Sequence, residues 1–281
     1  MTVVVPTTER RHQMHSLLNH SFFSQIYPAA KLSMLVDDAP SSKRSPLADY
    51  WAASSRVHYR QSKTQHQPLG QRRNQQLDEA LGRVVVHFDD DDFYGPWHIR
   101  RMVEYLLEHS DARLVKLSGW FGALPRSVVS GSEIMPNDGI SEFGRRFITG
   151  CFCLPPWTGW GWTWAFFKSR IGGCRYASDL SKGEEDSLQR CLHEAHGESS
   201  VHSIGDEHAT VLKLQDCQGV TSLGYKVAYD LPPWLIDQYW GNDTVAMLEQ
   251  LYLPHIAWER CASYPAWTKE RSARALSCTT P

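Results

Sequence analysis

The chain has 281 residues, of which 42% are hydrophobic and 21% charged, and its formal net charge is −2. That is an ordinary globular composition, long enough for one large α/β domain or two small ones, and it argues against a disordered chain. Nothing in so even a charge balance points to a nucleic-acid or membrane-surface binder.

Val3-Val4-Val5 is a β-branched run ended by Pro6, which predicts a buried first strand. Thr7 and Thr8 can cap the helix after that strand. Met14, Leu17, Leu18, Phe22 and Ile26 fall at helical spacing and predict a helix over 10–26, ended by Pro28. Leu32 to Val36 is a second apolar run, closed by Asp37-Asp38. Strand, helix, strand in that order predicts a βαβ unit and a parallel sheet. A Ser-rich polar stretch comes next, with a short helix at 48–53 and a short strand at 56–59. The spacing predicts a helix over 69–81, with Leu69, Arg73 and Leu77 on one face. An arginine on an apolar face near a helix N-terminus calls for an anionic partner; a snorkelling side chain is the plain alternative.

Arg83 to Phe88 is the third clear strand and runs straight into Asp89, Asp90, Asp91 and Asp92. After Gly95-Pro96 an amphipathic helix runs to about His109, with Ile99, Met102, Val103, Leu106 and Leu107 on one side. Extended segments are expected at 114–117, near Trp120, at 147–154, at 163–167 and at 210–214, and helices at 186–195 and 243–260. The expected organisation is a main α/β domain over 1–228 and an aromatic-rich helical extension over 229–281.

Four adjacent carboxylates repel one another. A solvated acidic loop would explain them, but these come directly after a strand that reads as fully buried. In open α/β sheets the carboxyl ends of strands form the ligand crevice, and acids placed there fit a hard divalent cation such as Mg2+ or Mn2+. Asp37-Asp38 ends another strand, where a carboxylate can accept hydrogen bonds from a base or ribose, although taken alone a turn or helix-cap role is the plainer reading. The chain has no P-loop and no Gly-x-Gly-x-x-Gly. No secretory leader and no run of about 18 apolar residues is seen, so a soluble, cytoplasmic protein is expected. Seven cysteines without regular spacing argue against a disulfide scaffold, and Cys151 and Cys153 read as buried thiols.

Taken together, Val3-Val4-Val5-Pro6-Thr7, Val36-Asp37-Asp38, Leu69-Gly70-Gln71-Arg72-Arg73-Asn74 and His87-Phe88-Asp89-Asp90-Asp91-Asp92 resemble the GT-A glycosyltransferases of family 2. The variant spelling most resembles a subgroup that includes transferases found beside DNA-base oxygenases. The resemblance implies a mostly parallel twisted sheet flanked by helices and a metal-dependent, inverting transfer from a UDP-sugar. It implies that Pro6, Thr7, Asp37 or Asp38, and Arg73 line the nucleotide site. Asp89 and Asp91 become the DxD pair on Mn2+ or Mg2+, with Asp90 and Asp92 supporting the loop or the donor sugar. Gly183-Glu184-Glu185-Asp186 resembles the motif that supplies the base; it carries one acid more than usual, leaving Glu185 and Asp186, with Asp186 favoured. Trp160 and Trp162 stand where an acceptor-side loop is expected, and His202 or His208 as a further metal ligand. The acceptor is open among glycan, protein, lipid and nucleic-acid base. A catalytically silent GT-A binding module and a sugar nucleotidyltransferase are the competing readings.

Overall fold

The computed structural model describes residues 1–62, 64, 66–117, 119–125, 147–153, 161–205, 211–214 and 244–255. These fall into two compact units. The first holds residues 1–91, 96–118 and 156–204, and the second holds 92–95, 119–155 and 205–281. The expected boundary at 228/229 and the C-terminal tail lie outside the described residues.

The strands are β1 (Thr2–Thr7), β2 (Ser33–Asp38), β3 (Val57–Gln61), β4 (Val84–His87), β5 (Phe93–Tyr94), β6 (Leu114–Leu117), β7 (Gly119–Pro125), β8 (Phe147–Cys153), β9 (Ala165–Phe167), β10 (Val201–Ile204) and β11 (Val211–Leu214). The helices are α1 (His15–Phe23), α2 (Ala48–Ala52), α3 (Leu69–Glu79), α4 (His98–Glu108), α5 (Lys168–Ile171), α6 (Glu185–His196) and α7 (Thr244–Leu251).

In the first unit seven strands form one sheet in the order β10-β6-β9-β4-β1-β2-β3. All neighbours are parallel except β9, which runs antiparallel to both β4 and β6. The mixed but mostly parallel sheet is the architecture expected. β1 and β4 are buried almost throughout, as strands covered on both faces must be. Helix α3 packs on β1 and β2, and α4 packs on β6 and β9. One core cluster joins Val4, Val85, Leu114 and Phe166 of the sheet to Leu77 of α3 and Leu188 and Leu192 of α6.

The chain runs β1, β2, β3 in one direction across the sheet and then returns to place β4 on the other side of β1. That reversal is a topological switch point, and ligand crevices of open α/β sheets lie there, beyond the carboxyl ends of the strands. The parallel register sets Thr7 beside Asp38 and Val4 beside His87, so the ends of β1, β2 and β4 share one edge.

Three local expectations are corrected. The first helical segment opens as a 3-10 turn over Glu9–Met14, and α1 ends at Phe23, which leaves Ile26 outside it and 45% exposed. Thr8 sits at the cap position but makes no side-chain cap bond. Leu107 is 63% exposed, whereas Ile99, Met102 and Leu106 are fully buried. At about 100° per residue, Leu107 stands about 90° round from the centre of that stripe.

The fold also makes a disulfide that no spacing in the sequence singles out. Cys174, after α5, bonds Cys191 of α6 across 17 residues. A loop of that size stabilises by about 3 kcal/mol in the chain-entropy view.

The second unit contains a four-stranded sheet in the order β5-β11-β7-β8. β11 is antiparallel to β5 and parallel to β7, and β7 is antiparallel to β8. Asp92 is fully buried there and holds β11, accepting from Lys213 Nζ at 2.6 Å and from the Leu214 N–H at 3.0 Å.

The α4 stripe gives a paired test. Leu106→Ala should cost about 2–5 kcal/mol by urea unfolding, while Leu107→Ala should stay within about 0.5 kcal/mol.

Candidate active site

The ends of β1 and β2 are held by a set of charged bonds. Asp37 is fully buried and both its oxygens are taken: Oδ1 accepts from Arg60 Nε at 2.7 Å, and Oδ2 from Arg72 Nε at 2.6 Å. Arg72 also donates to the Thr7 and Asp37 carbonyls. Asp37 is thus a structural anchor. Asp38, equally buried, uses only one oxygen. Its Oδ2 accepts from the Tyr59 hydroxyl at 2.6 Å and lies 2.7 Å from His12 Nε2. Its Oδ1 is buried with no hydrogen-bond partner among the described residues. A buried carboxylate oxygen in that position is costly unless something donates to it.

Thr7 ties β1 to the aspartate run by donating to Asp90 Oδ2. His15 lies on the other side of the hydroxyl, with Nε2 2.9 Å from Thr7 Oγ1 and Nδ1 2.7 Å from Ser45 Oγ. Burial holds His15 down at about 3, so the ring is neutral. Since Thr7 gives its hydrogen to Asp90, Nε2 of His15 donates and Nδ1 accepts from Ser45. Burial first, and the Asp91 carboxylate next, push Asp90 up to about 8, against the pull of Arg11 and the Thr7 bond. Asp89 and Asp91 are partly exposed and can bring carboxylate oxygens within 4.8 Å of one another. Arg11 Nη2 lies 2.9 Å from Asp91 Oδ2.

The helix motif at 69–74 explains itself in three dimensions. A β-carbon at Gly70 would sit 1.9 Å from the Ala177 carbonyl oxygen and 3.0 Å from Glu184 Cβ, so only glycine lets α3 approach that loop. Asn74 clasps the main chain of Tyr176, donating to its carbonyl and accepting from its N–H, each at 3.0 Å. Arg73, 6% exposed, finds the anionic partner its helix face called for. Nε donates to Glu184 at 2.9 Å, and Nη2 lies 3.7 Å from Asp89. Nη1 lies 2.7 Å from His87 Nδ1, and His87 Nε2 lies 2.9 Å from the Tyr176 hydroxyl. A guanidinium only donates, so Nδ1 accepts and the His87 hydrogen sits on Nε2. Burial and the adjacent Arg73 keep His87 well below its ordinary value. Arg73 thereby bridges the end of β4 to the start of α6, residues that lie 111 apart in the Arg73–Glu184 pair.

Gly183 takes φ +71° and turns the chain into α6. The next three acids separate by environment. Glu184 is buried against Arg73; Glu185 is half-buried beside Gly161; Asp186 is exposed. Burial first, and then the Glu184 carboxylate, push Glu185 up to about 7, against the pull of Arg73. Lys116, almost fully buried on β6, donates to Gln189 at 3.2 Å, and burial brings it down to about 8 while Asp186 pulls the other way.

Trp162 is only 3% exposed, in the 3-10 turn Gly161–Thr163, which leaves little of its face open to a sugar. Pro6 is partly buried at the end of β1. His202 lies on β10 with Tyr105 Oη 3.0 Å from its Nδ1 and Asp111 3.3 Å from its Nε2, rather than beside Asp89 or Asp91. Trp160 and His208 lie outside the described residues. Sequence reasoning missed the partners of the site acids: Arg11, His12, Tyr59 and Arg72. Each lies far from its carboxylate along the chain, so no local spacing marks it.

The mostly parallel sheet, with acids at the end of β2 and just after β4, is the GT-A type of fold. Residues 2–124, somewhat under half of the chain, match the model of glycosyl transferase family 2. Its sequence is similar to the poly(ribitol-phosphate) beta-N-acetylglucosaminyltransferase TarS of two Staphylococcus aureus strains. The match is 27% identical over 130 residues, 45% of this chain and 22% of the relative. The chain thus spans about a fifth of the length of the curated relatives it matches. Its fold is similar to the crystal structure of S. aureus TarS 1–349 in complex with UDP-GlcNAc. There the TM-score is 0.55 at 17% identity, over 76% of this chain and 58% of that one. It is also similar to the mannosyltransferase PcManGT from Pyrobaculum calidifontis in complex with GDP-Man and Mn2+. There the TM-score is 0.52 at 18% identity, over 80% of this chain and 58% of that one. Among the described residues no helix is long and apolar enough to cross a membrane.

Two outcomes test the site's electrostatics. Arg73→Met strands the buried Glu184 charge and should cost about 3–5 kcal/mol, part of which returns when Glu184→Gln is added. Glu185 has a folded value near 7 against an ordinary 4.5, so the folded state holds its proton where the unfolded state releases it. Its contribution to stability therefore falls as pH rises between those values. Glu185→Gln should flatten that fall in urea unfolding at stepped pH, and Asp186→Asn should leave it in place.

Proposed function

We propose that the protein is a metal-dependent, inverting glycosyltransferase that moves a hexosyl or N-acetylhexosaminyl group from a UDP-sugar to an acceptor hydroxyl. The observation that carries this reading is the Arg73 bridge, which joins the aspartate loop to the acidic start of α6 through Asp89 and Glu184. A donor site and a base are thereby built into one buried frame. The UDP-GlcNAc complex of TarS and the GDP-Man and Mn2+ complex of PcManGT support a nucleotide-sugar donor and a divalent cation.

Asp38, with one buried oxygen that has no hydrogen-bond partner among the described residues, is assigned to the uridine; Pro6 and Thr7 line the same strand end. Asp37 acts through Arg60 and Arg72, keeping that end rigid. Asp89 and Asp91 are an all-oxygen donor pair that suits Mn2+ or Mg2+, and they would hold the ion. When bound, such an ion neutralises charge on the leaving diphosphate. Glu185 is assigned as the base in preference to Asp186, because it is enclosed, faces Gly161 and is poised near neutrality. It accepts the proton of the acceptor hydroxyl as that oxygen attacks the anomeric carbon. The bond from that carbon to the diphosphate breaks on the opposite face, UDP leaves, and the configuration inverts. Glu184 fixes the start of α6 through Arg73. Cytoplasmic residence is the part of the expectation that the Cys174–Cys191 pair speaks against, since disulfides are rare in reducing compartments.

Calorimetry of UDP with and without Mn2+ is the decisive measurement. Wild type should bind UDP more tightly with the ion, and Asp91→Ala should lose that gain; UDP affinity indifferent to both sinks the reading. Glu185→Gln should keep UDP binding while transfer falls by about 10²-fold or more, with Asp186→Asn closer to wild type.

A further inference from the structure

Arg11 lies in the 3-10 turn Glu9–Met14, four residues after Thr7 on the chain that leaves β1. It reaches the aspartate loop, with Nη2 2.9 Å from Asp91 Oδ2. The arginines around the site differ in exposure. Arg72 is fixed by Asp37 and two main-chain carbonyls, and Arg73 by Glu184, His87 and Asp89; their side chains are each 6% exposed. Arg11 keeps 20% exposure on a long flexible stem, and its Asp91 partner keeps 13%. It is the most solvent-exposed arginine of the three.

Asp91 is also one of the two carboxylates assigned to the divalent ion. A guanidinium and a dication compete for one carboxylate, because each positive charge repels the other at that distance. A displaced guanidinium beside a nucleotide diphosphate meets the partner its planar fork of donors matches best.

We propose that Arg11 is a two-position residue of the donor site. It pairs with Asp91 until the divalent ion takes that carboxylate, and then turns to the diphosphate of the nucleotide. This rests on the assignment of Asp91 and the diphosphate made under Proposed function. Arg11 is an ion competitor in one state and a diphosphate ligand in the other, so its removal has effects of opposite sign on the two ligands.

The test uses the full chain as wild type, Arg11→Gln and Arg11→Lys. Mn2+ affinity without nucleotide is read from the electron paramagnetic resonance of free Mn2+. UDP and uridine affinities are then read by calorimetry at saturating Mn2+. Arg11→Gln should bind Mn2+ about threefold or more tighter and UDP about tenfold or more weaker, with uridine unchanged. Arg11→Lys should fall between, since an ammonium keeps the charge but loses the fork. An arginine that merely props the loop would weaken Mn2+, UDP and uridine together, and a bystander would change none; either result overturns the proposal. If wild-type UDP binding ignores Mn2+, the donor-site reading itself fails, and the Arg11 proposal falls with it; that outcome is visible before any variant is compared.

Discussion

The Arg73 guanidinium is the constraint on which the rest of the site depends. It is nearly buried and touches a carboxylate at the N-cap of α6, a carboxylate from the loop after β4 and the ring of His87. A buried cation is tolerated only when its donors and charge are matched on several sides. Meeting that demand forces the end of β4, the face of α3 and the start of α6 to one place. Asn74 and Gly70 on the same helix complete the junction by clasping Tyr176 and admitting Ala177.

The same arrangement assigns different work to acids that look alike in sequence. Asp37 is bonded to two arginines, whereas Asp38 has a buried oxygen with no hydrogen-bond partner among the described residues. Asp90 is tied to Thr7 and Asp92 to Lys213, while Asp89 and Asp91 stay partly exposed. Glu184, Glu185 and Asp186 run from buried to exposed within one turn. Dielectric surroundings and hydrogen bonds, rather than residue type, separate these acids from one another.

Much of the first unit is legible in the sequence because its signals are local. The buried runs at 3–5, 32–36 and 83–88 and the helical stripes at 69–81 and 96–109 became strands and helices close to the expected bounds. The anionic partner of Arg73 could be expected from its helix face, but its identity could not, since Glu184 is remote in sequence. The antiparallel entry of β9 between β4 and β6, the pairing of Cys174 with Cys191, and the Arg11–Asp91 contact are products of tertiary packing. The preference between Glu185 and Asp186 shifts for the same reason: spacing cannot rank adjacent acids, but burial can.

Gly70 carries a consequence for how this chain tolerates change. The residue bears no functional group, yet any side chain there collides with the carbonyl of Ala177 and crowds Glu184. Variation at position 70 would therefore be purged as strictly as variation at a reacting residue. A saturation scan would score the two alike, and only the geometry tells an indispensable void from an indispensable atom.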